Sequence, residues 1–422
     1  MRSTHWFRPV LAGPALLLVV LLAGQVLAQE VVLDFPSWQA TEPGTSDWFK
    51  ALIDEFESEH PGVHIEFTNV PYSNYNQTLL TRFAGGNPPD IVHLPAANLQ
   101  IYASQGWLEP LGDRMAQTDI PEFWNPLQDV CVYQGEPVCV LVLGYGYVMG
   151  YNQQAFDEAG VESVPENSDE LFAAAKKLTV DKNGDGVIDQ YGFAFPTVND
   201  DGIVTVATNL IFEFDEDAHW VDAQGQLNRE AITYAWKKMR DMVDAGVVPL
   251  GLNDNAKRQF FMEGRAAMVL EGPWIQGFID EAAPNVRPHL AVAQVPFAGP
   301  AYGGPSNVLA IPKAISPEKK ELVWDFIKLF SSEEWQRKYA EIAGQPPARS
   351  EVLTEAYLQQ HPQMATFVQA AQNAKSYFPP GMRDNYTEFR DLAITATLDA
   401  VVQGQPIDDV LNDLQRQVDR LR

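Results

Sequence analysis

The chain has 422 residues, 46% of them hydrophobic, 20% charged and 11% aromatic, which is enough for two domains that each bury a core. Its 29 basic and 56 acidic residues give a formal charge of −27, a surface that repels nucleic acid and anionic lipid but is compatible with a neutral small ligand. The acids form no consecutive block, so they read as a solubilising surface, and no low-complexity run or solenoid repeat interrupts the chain.

Arg2 and Arg8 precede an apolar run at 16–22, and Val26, Leu27 and Ala28 supply a small-residue cleavage pattern. This is the layout of a secretory signal peptide over 1–28, cut so that the mature chain begins at Gln29. The apolar run is shorter than the roughly 20 residues a membrane span needs. No cysteine lies near the cut, so no lipoprotein anchor is expected and the mature chain should be periplasmic or secreted. Removal of two arginines leaves 27 basic against 56 acidic residues, a net charge of −29.

Residues 31–35 predict a short strand leading to Ser37 and Trp38. Trp48, Phe49, Leu52, Ile53 and Phe56 then recur at helical spacing, until "HPG" at 60–62 ends the helix. Val63, Ile65 and Phe67 alternate as a strand; Tyr75, Leu79, Leu80 and Phe83 mark a second helix; "DIVHL" at 90–94 is a third strand. A β-α-β-α-β order predicts a parallel sheet covered on both faces, with ligands bound in the crevice beyond its strand ends.

Cys131 and Cys139 follow in "CVYQGEPVC". Outside the cytoplasm, a close pair reads as a disulfide more readily than as a metal site, and a hairpin centred on Gly135 sets the two opposite each other; two buried free thiols are the alternative. The glycines of "GYGYVMG" at 144–150 are one residue off a dinucleotide fingerprint and read as strand or crossover packing.

The α/β grammar resumes with a helix through Phe172, Ala175 and Leu178, the loop "DKNGDGVIDQYG" and a strand at 193–195. In that loop Asp181, Asn183, Asp185, the Val187 carbonyl and Asp189 match the oxygen spacing of a calcium site, but Gly192 stands where a bidentate Glu is expected. A plain Asn-Gly and Asp-Gly turn explains the segment equally well. Ile232, Ala235, Trp236, Met239, Met242 and Val243 form an amphipathic helix, with strands following at 266–270, 290–295 and 307–311. Pro and Gly cluster at 296–305 and 344–347, where the chain should cross between lobes, and the last helix carries Ile407, Val410, Leu411, Leu414, Val418 and Leu421 at helical spacing.

Catalytic motifs are scarce. His60 and His64 are four apart, yet Pro61 and Gly62 break the helix a zinc pair would need, and there is neither a nucleophile elbow nor a P-loop. Fifty-six acids leave a secreted glycoside hydrolase open as an alternative. Trp38, Trp107, Trp124, Trp220 and Trp274 sit at or near predicted element ends, whereas Trp236 and Trp324 fall on helical stripes. The C–H face of a sugar ring packs on an aromatic plane, and its hydroxyls need planar polar partners, so strand-end tryptophans beside Gln, Asn, Glu and Arg suit a sugar. Capping of the core ends is the structural alternative.

"GRAAMVLEGPW", "GNPPDIVHL" followed by "YASQGWLEPL", "YNQQAFDEAG", "DELFAAAKKLT", "DKNGDGVIDQYGFAF" and "WDFIKLFSSEEWQRKYAEIAGQPPARSE" together resemble the extracellular solute-binding proteins of ABC importers, in the sugar-binding cluster around maltose-binding protein. The resemblance runs from about residue 31 to 355. It implies an α/β, two-lobed periplasmic-binding-protein fold of type II-like topology, with an interlobe ligand cleft and a helical C-terminus. The lobes would be 29–140 with about 296–345, and about 141–295 with 346–422. The implied protein is no enzyme and has no cofactor. It would act as a monomer, capturing a sugar or oligosaccharide for a membrane permease; a non-sugar solute such as a glycerophosphodiester is the other binding reading. Carried over by position, Trp274 matches the tryptophan after a Gly-Pro turn that stacks on sugar, and Trp38 and Glu42 match a ligand-contacting loop after the first strand. Asn98 stands near the helix start where maltodextrin binders carry an acid; Tyr302, Gly303 and Arg349 fall in cleft-lining segments; Tyr75, Tyr145 and Asn199 complete the candidates.

Overall fold

The computed structural model describes Met1 and residues 30–421, so the expected signal segment lies outside the described residues. Strands Val31–Ser37 and Val63–Asn69 pair in parallel, in register from Val31 opposite Val63 to Ser37 opposite Asn69. The helix between them, Thr45–Glu59, buries Trp48, Phe49, Leu52, Ile53 and Phe56 on the face that the sequence spacing marks. Helix Tyr72–Ala84 and strand Val92–Pro95 follow.

That third strand does not extend the parallel pair as a regular ladder. The Asp34 carbonyl accepts the N–H groups of both Asp90 and Ile91, and the Asp90 side chain takes the Asp34 N–H at 2.9 Å, so a carboxylate occupies the place of a ladder partner. Val92–Pro95 pairs instead, antiparallel, with the far half of strand Ala301–Ala310. The same long strand pairs with Val140–Gly146 and, at its near end, with Ala374–Ser376. A separate sheet has Val148–Asn152 at its centre, flanked antiparallel by Met268–Glu271 and Leu290–Gln294. The expected strand at 193–195 contributes only an isolated bridge, Ala194 to Val269, because neighbouring N–H groups bond different partners: Phe193 to Val247 and Ala194 to Met268.

The two sheets are linked twice, through Tyr147 and through residues 295–300. At the first crossing the backbones approach so closely that a Cβ on Gly146 would lie 2.1 Å from the Ala370 carbonyl oxygen, and one on Gly303 would lie 2.3 Å from that of Tyr145. The glycines of "GYGYVMG" thus serve packing at a crossover. Helices Pro317–Ser331 and Glu333–Ile342 close over Thr45–Glu59, where the Trp48 indole donates to the Trp335 carbonyl at 3.1 Å. In the other lobe, helices Gly202–Phe214 and Arg229–Asp244 pack with the C-terminal helices Tyr386–Thr397 and Ile407–Leu421, and the Trp236 indole donates to Thr397 Oγ1 at 3.1 Å. The molecule is thereby two α/β lobes with a helical C-terminus. No described helix is long and apolar enough to cross a membrane.

Cys131 and Cys139 are joined, with Cα atoms 5.1 Å apart. The hairpin between them pairs Val132–Tyr133 with Glu136–Pro137, and it turns through Gln134 and Gly135 at positive φ.

Candidate functional site

Strand Met268–Glu271 runs into the turn Gly272–Pro273, which sets Trp274 at the start of helix Ile275–Glu281. The half-buried indole meets the edges of Tyr145 and Tyr147, with ring centroids 5.1 and 5.9 Å away. The aromatic chain continues from Tyr147 to Tyr302 at 5.3 Å, then to Tyr377, stacked at 5.5 Å, and on to Tyr386 at 5.3 Å. Burial pushes the hydroxyls of Tyr145, Tyr147, Tyr302 and Tyr377 well above the usual tyrosine range, so they stay protonated donors. From the other lobe, Trp38 lies flat on His93, centroids 4.3 Å apart at 13°, with Tyr72 and Tyr75 at its edges. Burial pushes the His93 imidazole down to about 3, so the stack is a neutral one.

Two groups of charges border these rings. On helix Asp254–Met262, Lys257 Nζ lies 2.8 Å from Asp254 and 2.9 Å from Glu271, while Arg258 Nε lies 2.8 Å from Glu271. Burial opposes the Glu271 charge, yet Arg258 and Lys257 outweigh it and hold the carboxyl at about 2. Farther along, Asp200, Asp201 and Asp254 place carboxylate oxygens within 4.8 Å of one another. Asp201 faces Arg390 at 3.8 Å and accepts from the Tyr72 hydroxyl at 3.4 Å. Burial, then the Asp254 and Asp201 charges, push the Asp200 carboxyl up to about 6. Glu42 is also raised, chiefly by burial, against the pull of Arg258. Gln39 Oε1, Glu42 Oε2 and Arg390 Nε are buried without a hydrogen-bond partner.

Of the residues expected from the sequence, the structure brings Trp38, Glu42, Tyr145, Trp274 and Tyr302 into this region. Tyr75 lies fully buried beneath Trp38 and donates to the Pro36 carbonyl at 2.9 Å, a supporting position. Asn98 accepts from Thr387 at 3.1 Å, a contact between the first lobe and the C-terminal helices. Gly303 has no room for more than its backbone. Asn199 is exposed, and its neighbours Asp200 and Asp201 place their carboxylates beside that of Asp254. Arg349 is engaged elsewhere, bonded to Asp119 at 2.8 Å and to Glu351, with its guanidinium over Phe123.

Trp107, Trp124 and Trp220 are part of the core: Trp107 stacks on Phe83, and the indoles of Trp124 and Trp220 donate to Leu141 and Thr208. Tyr72, Tyr147, Tyr377, Tyr386, Asp254, Arg258, Glu271 and Arg390 join this region without having been expected from the sequence. Glu271 and Tyr147 stood inside quoted motifs, whereas the arginines looked scattered. In the 181–189 loop the candidate calcium oxygens accept backbone N–H groups: Asp181 from Gly184 and Gly186, Asn183 from Asp185, Asp185 from Val187, and Asp189 from Lys182.

Residues 41–337 match the family profile of bacterial extracellular solute-binding proteins. A putative binding protein of Brucella suis biovar 1 (strain 1330) is 25% identical over 438 residues, spanning 100% of this chain and 99% of the relative. The maltotriose-binding protein of Pyrococcus abyssi is 24% identical, over 80% of this chain and 71% of its own. Among solved structures, maltose-bound MalE3 of T. maritima superposes with a TM-score of 0.80 at 22% identity, covering 94% of this chain and 100% of that one. The GacH receptor of Streptomyces glaucescens, solved unliganded and with acarbose, gives 0.79 at 21% identity, with coverage of 93% and 98%. Two α/β lobes and a profile match across most of the chain converge on one assignment: the protein belongs to the bacterial extracellular solute-binding protein family.

Proposed function

We propose that this chain is the substrate-binding component of an ABC importer, capturing a sugar or oligosaccharide between its lobes and delivering it to a membrane permease. One observation carries the reading: a continuous chain of aromatic rings runs from Trp274 to Tyr377, and three buried polar atoms beside it, Gln39 Oε1, Glu42 Oε2 and Arg390 Nε, have no protein partner. Aromatic faces suit sugar C–H faces, and unpaired donors and acceptors suit sugar hydroxyls. Relatives named for maltotriose and diacetylchitobiose binding support the same class. The lobes are 29–140 with about 296–345, and about 141–295 with 346–422; the packing of the 317–342 helices on Thr45–Glu59, and of the C-terminal helices on Arg229–Asp244, supports this division. The 1–28 segment is a signal peptide, and the mature monomer works in the periplasm or outside the cell.

A thermal-shift screen with maltotriose, diacetylchitobiose, galacto-oligosaccharide and ribitol tests the reading, with glycerophosphocholine as counter-ligand. A sugar at 100 times its Kd adds about 2.7 kcal/mol of stability. A response to glycerophosphocholine alone, or release of hydrolysed glycan, overturns it.

A further inference from the structure

Trp274 is a half-buried indole at the start of a short helix, with several staggered rotamers open to such a side chain. Here three contacts restrict it. Its Nε1–H donates to Glu271 Oε2 at 2.5 Å. A Cβ on Gly272 would lie 2.3 to 2.6 Å from three atoms of the six-membered indole ring, so the indole lies against the bare backbone of that residue. Tyr145 and Tyr147 present their rings to it at 61° and 89°.

Glu271 is in turn immobile. It is 1% exposed and tied by Arg258 through Nε at 2.8 Å and Nη2 at 3.2 Å. Lys257 Nζ lies 2.9 Å from the same carboxylate and donates to the Leu270 carbonyl at 3.0 Å, and Asp254 neutralises the remaining charge at 2.8 Å. The two cations therefore fix a carboxylate whose second oxygen is aimed at the indole N–H. A buried charge network of this kind adds little net stability compared with apolar packing, and its best-attested use is to specify one arrangement. We infer that Glu271 and Gly272 are positioning residues, which lock the indole plane of Trp274 in its ligand-stacking orientation before any ligand arrives. This rests on the proposed role of Trp274 as the stacking platform. It adds a mechanism: a preset aromatic plane removes the ordering cost that a mobile tryptophan would levy on each binding event.

The indole N–H signals of 15N-labelled, ligand-free protein read the lock directly, with Trp274→Phe identifying the Trp274 signal. In the wild type, that proton should resonate downfield of an unbonded indole N–H and exchange with solvent at least tenfold more slowly than in Glu271→Leu. Glu271→Gln, whose amide oxygen still accepts, should restore most of the protection, and Gly272→Ala should displace and broaden the signal in a protein that still folds. Equal protection in wild type and Glu271→Leu contradicts the lock. If Glu271→Leu does not fold, an unshifted, sharp signal in Gly272→Ala does so. No sugar is used, so a locked indole in a protein that answers no sugar would refute the ligand reading alone.

Discussion

The two ends of the cleft treat buried charge in opposite ways. Around Trp274, Glu271 and Asp254 each have cations in contact, supplied by Lys257 and Arg258. Around Tyr72, Asp201 has Arg390 at 3.8 Å, whereas among the described residues Asp200 has no ion pair and takes backbone N–H groups of Gly202 and Asp254 as its partners. The first arrangement fixes its protonation state, so it can hold an aromatic plane at any physiological pH. The second leaves a carboxyl at about 6, so the charge presented to a ligand varies within the working range of an extracytoplasmic protein. The difference teaches that burial alone does not set the behaviour of a cleft acid; the count of adjacent cations does.

The sharpest way to break the comparison is to remove compensation where it is complete. Arg258→Ala leaves Glu271 with Lys257 alone and takes from Glu42 the cation that opposes its burial, and should cost about 3–5 kcal/mol in urea unfolding, as removal of one partner from a buried network does. Arg390→Ala should cost less, about 1–3 kcal/mol, because Asp201 already has a raised pKa and can take up a proton instead. Equal losses in the two variants would erase the distinction between the ends.

The smallest effect is a pH dependence. The Asp200 carboxyl is at about 6 in the folded protein against 3.8 unfolded, so the folded state binds its proton more tightly. Its contribution to stability is complete below about pH 4 and is lost as pH rises through 6. Glu271 has the reverse sign: its contribution is complete above about 4.5 and fades as pH falls toward 2, so it is silent between pH 5 and 7.5. Melting curves should therefore show wild type losing more stability between pH 5 and 7.5 than Asp200→Asn does. Parallel curves would remove Asp200 as the source.

How much of this was legible beforehand follows from what periodicity encodes. The buried stripes of Thr45–Glu59 and Ile407–Leu421 follow their apolar spacing, because one face of a helix must be covered wherever the helix docks. Spacing cannot say which strand Val92–Pro95 joins, since that depends on the Asp90 carboxylate meeting the Asp34 backbone. The site divides similarly. Trp274 stands out because a large aromatic directly follows a strand end and a Gly-Pro turn. Arg258 and Lys257 look like any polar helix face until folding turns Glu271 toward them. Tyr377 comes from a short segment without periodic signal, brought beside Tyr302 by the pairing of Ala374–Ser376 with Ala301–Gly303.

The central claim, that Trp274 is a platform in the cleft and not a plug of the core, rests on one comparison of affinities. Calorimetric titration should be run on wild type and Trp274→Ala with whichever sugar gives the largest thermal shift, alongside melting of both ligand-free proteins. The account predicts a loss of about 2 kcal/mol, roughly thirtyfold in affinity, with little change in ligand-free melting. Unchanged affinity together with a destabilisation of about 3–5 kcal/mol, the cost of deleting a core aromatic, would contradict it.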